Sequence, residues 1–134
     1  MTPPTELVIT LPLPPNRANG RGHWRKWHAA RVSYCDWANM RYMATQRHLR
    51  TLYEDGVPRD AKLSLGFTLY LGNRMDDDNA LARVKWAVDW LVASQHLMDD
   101  SPKFCRMSIP SQVITRDKKA QRLEITIKYE EPHA

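Results

Sequence analysis

Cysteine is scarce in this chain of 134 residues, and the two present, Cys35 and Cys105, lie far apart with no second Cys or His at a metal-binding spacing. A structural zinc site is therefore not expected, and two reduced thiols are. No apolar run approaches the roughly 20 residues of a membrane span. Met1-Thr2-Pro3-Pro4 lacks the charged-then-apolar layout of a secretory signal. These absences lead us to expect a soluble, cytoplasmic protein with no membrane partner. There is also no internal repeat, low-complexity stretch or linker, so residues 1–134 are expected to form one domain. An apolar share of 43% and a charged share of 26% exclude wholesale disorder.

Acid is nearly missing from one part of the chain. Between Arg17 and Arg50 there are eight Lys/Arg residues and a single acid, Asp36, although the whole chain carries a net charge of only +5. The remainder holds twelve basic against fourteen acidic residues. One region is thus suited to meeting an anion, and another carries the carboxylates. Within the basic region Arg17, Arg21, His23, Trp24, Arg25, Lys26 and Arg31 mix positive charge with indole. That combination suits nucleic acid, where cations contact phosphates regardless of sequence and an aromatic ring stacks on an unpaired base.

Proline and glycine are absent from Lys26 to Leu52, where Ala30, Tyr34, Trp37, Met40 or Arg41, and Ala44 recur at helical spacing. A long helix is expected there, with a break allowed near Thr45. Before it, Leu7, Ile9 and Leu11 alternate in a short strand over 6–11, and residues 16–22 read as a loop. After it, Glu54 to Pro58 stop the helix, and Leu63, Leu65, Phe67, Leu69 and Leu71 alternate in the clearest strand, over 61–71. Leu81, Val84, Val88 and Leu91 then form the apolar stripe of a second helix running to Gln95, with Asp77 or Asp78 as its N-cap. A weaker strand is expected over Phe104 to Ile109, and a last one carries Leu123, Ile125, Ile127 and Tyr129. The order β-α-β-α-β-β fits an α+β two-layer sandwich, a mixed sheet with both helices on one face.

The acids of that second helix are its most unusual feature. Arg74-Met75-Asp76-Asp77-Asp78-Asn79 precedes it, and Met98-Asp99-Asp100 follows it. So many carboxylates in one segment call for a compensating cation. Hard oxygen ligands without His or Cys favour magnesium, or manganese, over zinc. A calcium loop of the EF-hand type is excluded: Ala80 stands at its fifth position, Leu81 at its obligatory glycine, and Ala87 or Val88 at its closing glutamate. On the helix, Lys85 lies seven residues beyond Asp78 and within roughly 20° of the same line. The helix would be about 27 Å long at ~1.5 Å per residue. Asp99 and Asp100 would then meet Asp76 only by a loop doubling back or from another subunit.

Taken together, Asp76-x-Asp78-Asn79, Lys85-x-x-x-Asp89-x-Leu91 and Asp99-Asp100, with Leu11-Pro-x-Pro-Pro15, His23-Trp24 and Leu123-Glu-Ile-Thr-Ile127, resemble the RusA family of Holliday-junction resolvases in order over most of the chain. The resemblance implies a homodimeric, magnesium-dependent endonuclease that cuts branched DNA, four-way junctions above all, with no organic cofactor. It implies Asp76, Asp78 and Asp100 as metal-binding and catalytic acids, with Asp99 the adjacent acid. In the compact form of the family the catalytic lysine stands where this chain has Ala82. Lys85 fills that role if three residues are inserted, and Arg83 is the alternative. The competing expectations are a non-catalytic DNA-binding protein on the same fold and a nuclease for flaps or other DNA structures.

Overall fold

The computed structural model describes residues 6–15, 24–46 and 50–130. Five strands and two helices follow one another as β1 (Glu6–Leu11), α1 (Trp24–Gln46), β2 (Leu63–Leu71), α2 (Asp77–Ala93), β3 (Cys105–Met107), β4 (Ser111–Ile114) and β5 (Arg122–Tyr129), with a 3₁₀ turn at Lys118–Ala120. The sheet is mixed. β5 lies between β1 and β2 and is antiparallel to both, while β3 and β4 run parallel to β2 along its other edge. This is the α+β arrangement expected from the order of elements, with the edge strand delivered in two pieces. None of the helices among the described residues is long and apolar enough to cross a membrane.

Strand alternation sets the two faces of the sheet. Ile9, Ile125 and Phe67 stand side by side across three strands in the observed register, and all are buried. Leu65 opposite Ile127 and Leu69 opposite Leu123 extend the same layer. The helices cover this face: α2 buries Ala80, Val84, Ala87, Val88, Trp90 and Leu91. On the other face Val8 is half exposed, and Arg122 stacks over the Tyr70 ring at 3.7 Å while pairing with Glu124 at 3.1 Å.

The core row of α1 differs from the expected stripe. Tyr34, Ala38 and Tyr42 are buried, whereas Trp37 is 51% and Met40 70% exposed. Two aromatic contacts select the i, i+4 row: Tyr34 meets Trp86 at 6.4 Å between ring centroids, and Tyr42 meets Trp90 at 5.1 Å. The small Ala38 between the two tyrosines lets the helices approach. On α2, Leu81 is likewise 38% exposed, and Ala80 takes the buried place beside Val84. The first helix, described to Gln46, does not reach Leu52 as expected. Residues 51–57 instead turn tightly, with Val57 N–H donating to the Leu52 carbonyl at 3.0 Å and Gly56 at φ 111°. Only a residue without Cβ takes that conformation without strain.

α2 closes with Gln95 in the left-handed region (φ 66°), while His96 and Leu97 donate backbone N–H groups to the Leu91 carbonyl. The turn buries His96, 3% exposed, between Trp90, stacked at 5.6 Å, and Tyr42, edge-on at 5.4 Å. Its Nδ1 has no hydrogen-bond partner, and burial pushes its pKa down to about 4. A neutral imidazole in the fold and an ordinary one in the unfolded chain mean that protons favour unfolding between these values. The stability contribution is complete above about pH 6.5 and is lost as pH falls toward 4. Lowering the pH from 7 to 4.5 should cost about 2 kcal/mol through this residue. Urea denaturation of wild type and His96→Phe at both pH values measures it, and equal pH dependence in the two proteins would contradict it.

Candidate functional site

The acidic segment leaves the C-terminal end of β2 and enters α2. Its N-cap is Asp76 rather than Asp77 or Asp78, with Ala80 N–H donating to the Asp76 carbonyl at 2.9 Å. Asp77 and Asp78 fall in the first helical turn, where the helix dipole favours negative charge. The Asp76 side chain makes no capping hydrogen bond. Asp76, Asp77 and Asp78 are all exposed, and no ion pair among the described residues engages them.

Gln112 fixes the start of this segment. Its amide accepts from Met75 N–H at 2.9 Å and donates to the Met75 carbonyl at 2.8 Å, so one side chain acts as a strand neighbour for the residue before Asp76. The break in the edge strand makes this possible. Leu65 faces Met107 and Thr68 faces Ser111, leaving two residues of β2 opposite the three residues 108–110. Pro110 cannot donate to a ladder, and the extra residue forms a bulge. It inverts the alternation, so that Gln112 pairs with Leu69 on the helix side instead of facing outward.

Around this turn the basic residues divide by role. Arg83 is half buried: its Nε donates to the Pro14 carbonyl at 2.6 Å and a terminal nitrogen lies 3.9 Å from the Met75 sulfur. Burial lowers its pKa. This guanidinium holds the segment after β1 against α2. Lys85 is exposed. Asp89, its neighbour four residues on, pairs with Arg31 of α1 at 3.5 Å. With about 10 Å of helix axis from Asp78 and a side chain leaning toward the N-terminus, Lys85 is directed at the acidic end.

Asp99 and Asp100 lie at the opposite end of the sheet. The Asp100 carbonyl receives the Cys105 thiol at 3.4 Å, and the Phe104 carbonyl accepts from Leu63 N–H at 2.9 Å, which ties this loop to the beginning of β2. The nine residues of β2 separate it from Asp76, about 30 Å at ~3.3 Å per residue. No group of three or more His, Cys, Asp or Glu close enough to hold a metal ion occurs among the described residues. Within one chain, therefore, Asp76 and Asp78 are neighbours and Asp100 is remote. Two carboxylates fit magnesium, which keeps several waters and is held by one or two protein carboxylates plus substrate phosphate.

Of the expected nucleic-acid contacts, Arg17, Arg21 and His23 lie outside the described residues. Trp24 and Arg25 open α1, Lys26 is exposed on it, and Arg31 bridges α1 to α2 while also meeting His28 Nδ1 at 3.1 Å. A second basic group was missed from the sequence. Lys118, Lys119 and Arg122 line an open cleft of about 620 Å³ with Trp37 and Arg41. The signal was present, since Arg116 to Arg122 holds four cations in seven residues. A smaller cleft of about 350 Å³, bounded by Arg74, Met75 and Arg83, shares Leu13 and Gln121 with the first. Both open at the end of the sheet that carries Asp76. Neither a scan of protein-family models nor a search of curated proteins finds a match to this chain.

Gln112→Ala should unpair the Met75 N–H and carbonyl together, lowering stability by about 2 kcal/mol and exposing the Met75 amide to exchange. Urea denaturation and amide hydrogen exchange read the two effects. An unchanged midpoint with a still-protected amide would remove Gln112 from this role.

Proposed function

We propose that the chain is a magnesium-dependent endonuclease of the RusA type, cytoplasmic, acting as a homodimer on branched DNA such as four-way junctions. The observation that carries this reading is the placement of unpaired Asp76 and Asp78 on a braced strand-to-helix turn, at the same end of the sheet as the basic clefts. A bound divalent cation there would neutralise phosphate oxygens and activate water for attack on phosphorus. Asp76 and Asp78 supply its carboxylates. Lys85 adds positive charge toward the scissile phosphate. Arg83, committed to the Pro14 carbonyl, serves to position the turn.

The separation of Asp100 from Asp76 bears on the dimer. In a two-fold assembly, the Asp76 end of one protomer would face the partner subunit's Asp100, and symmetry would create two equivalent sites. Two equivalent sites suit a junction that itself has approximate two-fold symmetry. The same separation favours the rival reading, a DNA-binding protein without catalysis.

Cleavage of a synthetic four-way junction with magnesium distinguishes the two. Asp76→Asn and Asp78→Asn should each lose cutting by at least about 100-fold while retaining junction binding, since metal ligands are removed and the basic clefts are not. Junction binding without cutting by the wild-type protein, in magnesium and in manganese, would refute the enzyme. Complementation examines the shared site. Mixed with Asp100→Asn protein, a double Asp76→Asn/Asp78→Asn protein should recover nicking, because one site of each mixed dimer then has all three acids. If each acid set worked within its own chain, no mixture would cut.

A further inference from the structure

The larger cleft lies on the far side of Leu13 and Gln121 from the acidic turn. Residues 10–13 leaving β1 form one wall, Trp37 and Arg41 of α1 another, and the turn before β5 a third. Four of its lining side chains are cationic, Arg41, Lys118, Lys119 and Arg122, and none is acidic. Arg122 is partly neutralised by Glu124 at 3.1 Å. The 3₁₀ turn presents the two lysines together, with the Asp117 carboxylate accepting from Lys119 N–H at 3.0 Å and so setting the turn's start. Such a concave concentration of positive charge attracts a polyanion.

Trp37 says which polyanion. Its indole lies off the core row of α1 and is half exposed at the rim, although tryptophan side chains are on average highly buried. Tyr34 contacts it edge-on at 6.4 Å and 89°, and Tyr34 is itself held by donating its hydroxyl to the Pro12 carbonyl at 2.7 Å. The ring is thus pre-oriented, and a fixed aromatic face beside cations is the arrangement that stacks an unpaired base while its phosphates are neutralised. A duplex offers free base faces only at its ends, so this chemistry selects a single strand.

We propose that the cleft of Trp37, Arg41, Lys118, Lys119 and Arg122 binds a single-stranded segment of nucleic acid and leads it past Leu13 and Gln121 toward Arg74 and Asp76. This deepens the nuclease reading and rests on it for the direction of the strand, while the binding itself is independent of cutting. It gives the protein a site for the unpaired strand that emerges where a junction or flap opens.

Anisotropy of a fluorescein-labelled fifteen-residue oligothymidine, without divalent metal, tests the proposal. Trp37→Ala should weaken binding roughly tenfold or more with the salt dependence unchanged, and Trp37→Phe should restore most of it. Lys118→Ala/Lys119→Ala should weaken binding at low salt and reduce the slope of log affinity against log salt by about 1.4, two phosphate contacts on a single strand. Thermal melting confirms that each variant is folded. Affinities equal to wild type in both variants would overturn the proposal. So would loss of self-association by sedimentation with oligonucleotide binding intact, because the cleft would then be a contact between copies of this chain. A wild-type protein that binds the oligonucleotide through this cleft but cuts no junction would leave the cleft assignment standing and refute the nuclease. Junction cutting with cleft variants that bind normally would do the reverse.

Discussion

Pairing of β2 along both of its edges is the constraint from which the rest of the structure follows. Eight of its nine residues, Leu63 to Tyr70, are paired with β5 on one side, and Leu63–Leu65 and Thr68–Leu71 with the two pieces of the edge strand on the other. Because the strand is central and buried on one face only, its alternation decides which side chains the helices must cover. Its direction also decides which end of the sheet each loop reaches. Residues that follow β2 and residues that precede β3 are placed a strand length apart. The division of the carboxylates between the two ends is a consequence of the parallel β2-α2-β3 crossover.

Charge is then concentrated at one of those ends. The acidic turn, Arg74, Arg83 and the cleft with Lys118 and Lys119 all come from segments that leave or enter the sheet at the C-terminal end of β2. Leu13 and Gln121 lie between the two clefts, and no ion pair among the described residues joins Asp76, Asp77 or Asp78 to the cations of either. Arginine is used for structure where it is half buried, in the Arg83–Pro14 and Arg31–Asp89 contacts. Lysine stays on the surface at positions 85, 118 and 119. That partition follows from the guanidinium's ability to make directed hydrogen bonds at lower desolvation cost.

Much of the fold was legible in the residues because its signals are local. β1 over Glu6–Leu11 and the alternation of β2 and β5 match their apolar periods. The helix positions were legible too, but their faces were less so. Trp37 and Leu81 fit an apolar stripe by hydropathy, yet the buried places went to Ala38 and Ala80. Small residues win at close helix and sheet contacts because the larger ones do not fit, and a helical period carries no information about available volume. The bulge at residues 108–110 was likewise hidden, since Pro110 signals an interruption but not the one-residue change of register that turns Gln112 inward.

For the site, the sequence by itself determined the chemistry on offer: oxygen donors at Asp76 and Asp78, a lysine on the same helical line, and an excess of positive charge elsewhere. Spacing along one helix was enough for those relations, because 3.6 residues per turn is a property of the backbone. Only the tertiary structure decided which groups share a neighbourhood. It moved the cap to Asp76, braced Met75 through Gln112, spent Arg83 on Pro14, set Asp100 a strand length away and assembled a basic cleft from segments some eighty residues apart, Trp37 and Lys118 among them. Those outcomes depend on sheet order and on one inserted residue in an edge strand, and neither is encoded in any single stretch of the chain.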